Sequence, residues 1–120
     1  MRLLFLKTKH IGDALLMTPA LTAVREQHPQ AEITVVVRAG TEGILAGCPA
    51  IDRLLTTAAP ERGRRDGARW RDVSLVRELR RRKPDIAFEL GDCDRGRWLA
   101  WLSGARVRCG TRRHFKLGPV

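Results

Sequence analysis

One carboxylate set in a glycine turn dominates the chemistry of this chain. Lys7-Thr8-Lys9-His10-Ile11-Gly12-Asp13 puts Asp13 next to a glycine and close in sequence to two lysines and a histidine. A carboxylate held within about 3 Å of a hydroxyl can take its proton as a general base. Lys9 and His10, and less directly Lys7, carry the charge to hold phosphate groups beside it. The same residues have a purely structural reading. An Asp before a helical pattern caps the helix and satisfies its orphan N–H groups, and Gly12 suits any tight turn with positive φ.

A second cluster lies at Arg62, Arg64, Arg65 and Arg69, in a stretch over 58–71 that has turn formers and no apolar period, and so reads as a loop. Guanidinium groups donate two parallel hydrogen bonds to phosphate or carboxylate, and Trp70 in the same stretch could stack on a sugar. The alternative is a solvated charged loop. Arg80-Arg81-Arg82-Lys83 precedes a strand, at the opposite edge, where solvation or contact with a membrane surface fits better than catalysis. In Gly91-Asp92-Cys93-Asp94-Arg95-Gly96, Asp92 or Asp94 either binds sugar hydroxyls or caps the next helix, and capping is favoured. Trp98 and Trp101 read as core, and Glu26, Glu32 and Glu78 as surface charges. Cys48, Cys93 and Cys109 make no Cys-x-x-Cys pair and no zinc-like spacing, which fits reduced thiols. Gly-x-Gly-x-x-Gly, Walker and Gly-x-Ser-x-Gly signatures are missing, so the residues give little support to dinucleotide binding, triphosphate binding or a serine hydrolase.

The elements that must position these groups follow from hydrophobic patterning. Leu3–Leu6 is a continuous apolar run, as in a strand buried on both faces of a parallel sheet. Ala14, Leu15, Leu16, Leu21 and Val24 recur at helical spacing, with Pro19 either kinking that helix or restarting it behind a Thr18 cap. Ile33–Val37 is a β-branched strand, 41–47 a brief helix with a glycine stop, and Arg53–Thr57 a third strand. Leu75, Val76 and Leu79 mark a helix that Pro84 ends. Ile86–Leu90 is a fourth strand, Trp98–Leu102 a helix, and Val107 marks a fifth strand. Alternating strands and helices imply an α/β fold, a Rossmann-like parallel sheet in the order 3-2-1-4-5 with flanking helices. The carboxyl edge of such a sheet is where ligands bind. The loops carrying Asp13, the Arg62–Arg65 cluster and Asp92 all leave that edge.

At 120 residues the chain is long enough for one core and not for two. Its net charge of +10 favours anionic partners such as nucleic acid, acidic lipid or phosphorylated glycan. The four apolar residues before Lys7 are too few for a signal-peptide core, and no run approaches a membrane span.

Gly12-Asp13-x-Leu15-Leu16-x-Thr18-Pro19-Ala20-Leu21 resembles the ADP-heptose:lipopolysaccharide heptosyltransferases, inverting glycosyltransferases of the two-domain GT-B type. The resemblance extends over residues 1–57, including His28-Pro29-Gln30-Ala31-Glu32-Ile33, and over 84–110. Lys7-x-Lys9-His10-x-Gly12-Asp13 is nearest to the heptosyltransferase III branch. The resemblance implies that Asp13 is the general base and that the acceptor is a phosphorylated lipopolysaccharide core; Lys9, His10, Gly12, Arg62, Arg64 and Arg65 are then the candidate contacts to it from the reading of the residues above. It implies no metal and no cofactor, with the donor ADP-heptose held mainly by a second domain. Residues 1–120 are then expected to be part of the N-terminal acceptor-binding half, with little activity alone and a cytoplasmic setting peripheral to the inner membrane. The Gly91–Gly96 segment departs from the commoner family form, so acceptor details do not carry over there. A competing reading is a non-catalytic basic α/β module that binds polyanions such as nucleic acid. Against it, no nucleic-acid motif is present and the basic residues are spread over several edges. A degenerate relative that keeps only the fold is a third reading.

Overall fold

Five short apolar segments pair into one parallel sheet in the order β3-β2-β1-β4-β5, the order the alternating pattern predicts. A computed structural model describes residues 1–8, 16–57, 67–90 and 94–110, the side chains of 67–72 and 94–95 aside. Its elements are β1 (Arg2–Lys7), α1 (Thr18–Gln27), β2 (Glu32–Val37), α2 (Glu42–Leu45), β3 (Arg53–Thr56), α3 (Gly67–Arg82), β4 (Ile86–Glu89), α4 (Asp94–Leu102) and β5 (Val107–Gly110).

The strands at the centre are buried because helices cover both faces. Leu3 and Phe5 of β1 and Ile33, Val35 and Val37 of β2 point to one face and pack with Met17, Leu21 and Leu45. Leu4, Leu6, Val36 and Ala87 point to the other and pack with Leu75, Leu79, Leu99 and Ala100. This alternation is the period-two geometry of a strand. Fully burying each of the larger side chains, Val, Leu, Ile, Met or Phe, stabilises by roughly 1.5–3 kcal/mol. Phe5 and Phe88, paired across β1 and β4, stack with ring centroids 4.9 Å apart.

Three expectations change. Pro19 restarts a helix, but one residue earlier than predicted: α1 begins at Thr18, with Met17 at the capping position and Pro19 in the first turn, where its missing N–H would have no partner anyway. Leu16 does not join the apolar face of that helix and is 73% exposed. The basic stretch is not a loop as far as residue 71. α3 starts at Gly67, which places Arg69 and Trp70 in a helix, because Ala68 and the arginines are good helix formers even without an apolar period. Finally, Trp98 and Trp101 are not core: they are 54% and 48% exposed. α4 buries Leu99 and Ala100 against the sheet, which turns both tryptophans outward.

At the far end of α3 the helix stops at Arg82, Lys83 takes the left-handed region at φ 49°, and Pro84 follows, as expected from a proline that cannot continue the helix.

Candidate functional site at the carboxyl edge of the sheet

The connections diverge at one place. From β1 the chain passes to α1, which packs on the Phe5 face; from β4 it passes to α4, which packs on the Leu6 face. β1 and β4 are neighbours, with Leu6 beside Glu89. Their carboxyl ends therefore border a crevice, the switch point at which open parallel sheets take ligands.

Local bonding braces that crevice. Leu90 N–H donates to the Leu6 carbonyl at 2.9 Å, and Lys7 Nζ donates to the Leu90 carbonyl at 2.9 Å. Lys7, read from sequence as a lesser phosphate contact, is thus a tie between two strand ends. Thr8 is buried at the exit from β1, and Glu89 is buried to 1% exposure at the end of β4. The Glu89 carboxyl lies against the first turn of α4: a Cβ at Gly96 would sit 2.6 Å from Glu89 Oε1. The positive end of the α4 dipole favours a carboxylate there. The sequence reading places Glu89 inside the fourth strand, Ile86–Leu90, but gives it no role, because the strand pattern alone does not say which helix will lie against its carboxyl; a charged residue within an apolar strand was the one signal available.

Asp13, Lys9, His10 and Gly12 lie outside the described residues, as do Arg62, Arg64, Arg65 and Asp92. What the fold establishes is where their segments are tied. Residues 9–15 continue from Thr8 at the end of β1, 58–66 from Thr57 at the end of β3, and 91–93 from Leu90 at the end of β4. All three segments depart from the carboxyl edge. β3 lies two strands from β1, which is roughly 10 Å along the sheet.

The opposite edge is occupied by structural charge pairs. A groove lined by Arg25, Asp52, Arg53 and Arg82 lies there, and the guanidinium groups of Arg25 and Arg82 are engaged in internal bonds. Arg25 donates to the carbonyls of Pro29, Ala31 and Ala50 and to the Asp52 carboxylate. Arg82 donates to Glu78 at 2.8 and 3.0 Å and to Glu32 at 3.1 Å. The Arg82 hydrogen bonds hold the Glu78 carboxyl below the ordinary carboxylate range, with the Arg82 and Arg81 charges adding to the effect against some desolvation. Arg80 Nε donates to the Leu102 carbonyl at 2.6 Å. Glu32 and Glu78 are therefore ion-pair partners and not isolated surface charges, and two members of the Arg80–Lys83 run are tethers. Cys48 and Cys109 are free. Among the described residues no group of His, Cys, Asp or Glu could hold a metal ion, and no helix is long and apolar enough to cross a membrane.

Comparison with known proteins gives this edge a context. The chain is 28% identical over 101 residues, 84% of its length, to lipopolysaccharide heptosyltransferase 3 of Escherichia coli strain K12. Among solved structures it superposes with a TM-score of 0.76 on the glycosyl transferase family 9 protein of Veillonella parvula DSM 2008, at 27% identity over 89% of this chain. The chain is thus similar in sequence and fold to a heptosyltransferase and to a glycosyl transferase family 9 protein. It also matches E. coli heptosyltransferase WaaC, solved with ADP, at a TM-score of 0.73 and 25% identity over 92% of its length. No protein-family model matches. The chain spans 27% of the curated relative and 30% and 34% of the two solved chains. Its sheet corresponds to the Rossmann-like N-terminal part of a GT-B heptosyltransferase.

Proposed function

We propose that this chain is the acceptor-binding part of an inverting glycosyltransferase that moves heptose from ADP-heptose to the inner core of lipopolysaccharide, in the manner of the heptosyltransferase III branch. In this reading Asp13 takes the proton from the acceptor hydroxyl. The freed oxygen attacks the anomeric carbon from the face opposite the leaving group, the bond to the diphosphate oxygen breaks, and ADP departs with inverted configuration at carbon. Lys9, His10 and the backbone at Gly12 hold the acceptor, and Arg62, Arg64 and Arg65 grip its phosphates as two-pronged donors. The donor sits mainly on a second domain facing this one, and charge on the departing diphosphate is met by helix N-termini and cationic side chains.

One observation supports this reading above the others. The segment that carries Gly12-Asp13 leaves β1 from buried Thr8, beside β4 at the switch point, in a sheet that matches the solved family 9 fold. The polyanion-binding alternative is weakened because Arg25, Arg80 and Arg82 are engaged in internal bonds.

The test is ADP release from ADP-heptose with core lipopolysaccharide, using the gene product read to its natural stop codon. Asp13→Asn is expected to lower turnover by about 10²–10⁴-fold while leaving far-ultraviolet circular dichroism and the thermal midpoint unchanged. Wild-type release that survives the substitution would remove Asp13 from the base role. An inert full-length protein with every inner-core acceptor would sink the transferase reading.

A further inference from the structure

Glu89 is the one charged side chain that is buried among the described residues, and the transfer reading gives it no task. It closes β4 beside Leu6. Standing two residues after Ala87, it lies on the sheet face that packs with Leu99 and Ala100 of α4. A leucine or valine there would fill the space with no charge to desolvate. The carboxyl is admitted only because residue 96 has no side chain: a Cβ would lie 2.6 Å from Glu89 Oε1 and 2.9 Å from Glu89 Cγ. Glycine is itself a poor helix former. Two neighbouring choices thus work against the stability of the fold at one point, the carboxyl end of the sheet. Local conflicts of this kind gather at functional sites. By contrast, Asp52, Asp85, Glu32 and Glu78 tie strand and helix ends at the opposite edge.

The bonds around Glu89 run to the exit of β1. The next residue, Leu90, is gripped by β1 at both of its backbone groups. Its N–H donates to the Leu6 carbonyl at 2.9 Å, and its carbonyl accepts from Lys7 Nζ at 2.9 Å. Thr8, buried where β1 ends, leads directly into the segment that carries Gly12 and Asp13. Thr8 and Glu89 are both engaged in polar interactions. On its other side the Glu89 carboxyl meets the first turn of α4, whose N–H groups have no partner within the helix and whose dipole favours negative charge. We propose that Glu89 is a positioning residue for the general base. Its carboxylate pins the start of α4 to the end of β4, and Leu90 carries that position to the root of the Asp13 segment. Its part is to hold the crevice in shape, not to exchange a proton with substrate. The inference rests on the transfer reading and adds to it the residue that holds the base in place.

The test uses the gene product read to its natural stop codon, with ADP-heptose and core lipopolysaccharide. Glu89→Gln keeps the shape of the side chain and removes its charge. It is expected to lower kcat by about 10–100-fold, the scale of a small misplacement of a reacting group. KM for ADP-heptose should stay at the wild-type value, because the donor sits mainly on the second domain. Glu89→Asp keeps the charge on a stem shorter by one methylene and should recover part of the lost kcat; it decides by the same split if Glu89→Gln does not fold. Arg82→Ala loosens the opposite edge of the sheet and is the control for stability. It should lower the thermal midpoint with kcat unchanged. Hydrogen exchange at the Leu90 amide reads the pinning without substrates. Glu89→Gln should speed it at least about tenfold while the Val35 amide of β2 keeps its rate. Wild-type kcat in Glu89→Gln overturns the proposal, as does a loss of kcat that follows the thermal midpoint alike in Glu89→Gln and Arg82→Ala. A raised KM for ADP-heptose at unchanged kcat overturns it too, by moving Glu89 to donor binding. A wild-type protein inert with every inner-core acceptor defeats the transfer reading, whereas Leu90 exchange that Glu89→Gln leaves unchanged defeats the pinning itself.

Discussion

Gly96 is the residue at which a missing side chain matters most. It lies in the first turn of α4, and a Cβ there would meet Glu89 Oε1 at 2.6 Å and Glu89 Cγ at 2.9 Å. Helix propensity alone favours alanine over glycine by about 1 kcal/mol, so the two effects oppose each other. Glu89 is 1% exposed and has little room to retreat. Overpacking a closed site costs about 1–3 kcal/mol, so the clash should win. Gly96→Ala is expected to lower the urea midpoint by the equivalent of about 1 kcal/mol, and Glu89→Asp, which withdraws the carboxyl by one methylene, should recover part of that loss in the double variant. An alanine variant as stable as the wild type would show that Glu89 moves freely. Neither partner was legible in the sequence. A glycine among charged residues looks like loop, and the clash exists only because β4 and α4 are adjacent in space. Asp13 is the converse, since its type, its neighbour Gly12 and its place after an apolar run mark it out without coordinates.

The elements were legible in proportion to how one-sided their patterns are. Leu3–Leu6 and Ile33–Val37 read as strands because they are short, and the second is rich in β-branched residues, as suits a strand covered on both faces. In Trp98-Leu99-Ala100-Trp101-Leu102 every residue is apolar, so helical period cannot choose the buried face, and the sheet chooses Leu99 and Ala100. α3 gave no apolar signal in its first turns, and its C-terminal arginines hid a specific anchor. Arg82 joins the last turn of α3 to Glu78 and to Glu32 at the start of β2, and its carbonyl accepts from Arg2 at 2.7 Å. With Arg82 only 17% exposed, Arg82→Ala should cost about 1–2 kcal/mol, more than an isolated surface pair. The same clamp sets a pH dependence. Because Glu78 titrates lower when folded than when unfolded, its contribution is complete above the ordinary glutamate value of about 4.3 and is lost as pH falls through the lowered folded value. Urea midpoints measured down that acid range should fall less steeply for Glu78→Gln than for wild type. Parallel slopes would mean that the Arg82–Glu78 bonds do not persist in solution.

For the whole molecule the sheet order has an asymmetric consequence. β1 is paired on both sides, with β2 and β4, and its Leu3–Leu6 core is covered on both faces. Among the described residues β5 is paired only with β4; Val107 is 51% exposed, and Cys109 and Gly110 are exposed too. Local opening costs least where few apolar contacts break and one strand edge is already free. Amide hydrogen exchange should therefore be slowest in β1 and β2, intermediate in β4, and fastest in β3 and β5, the two edges of the sheet. The relatives bear on this directly, since the chain spans only 30% of the family 9 structure it matches. If the gene product is longer, residues beyond this stretch are available to cover the β5 edge. Comparing exchange in this chain and in the longer product distinguishes the two states of that edge. Protection of β5 amides that rises only in the longer protein would make β5 an internal strand of a larger sheet. Equal fast exchange in both would make it a true edge, and β5 protection matching β1 in this chain alone would mean that a second copy already covers it.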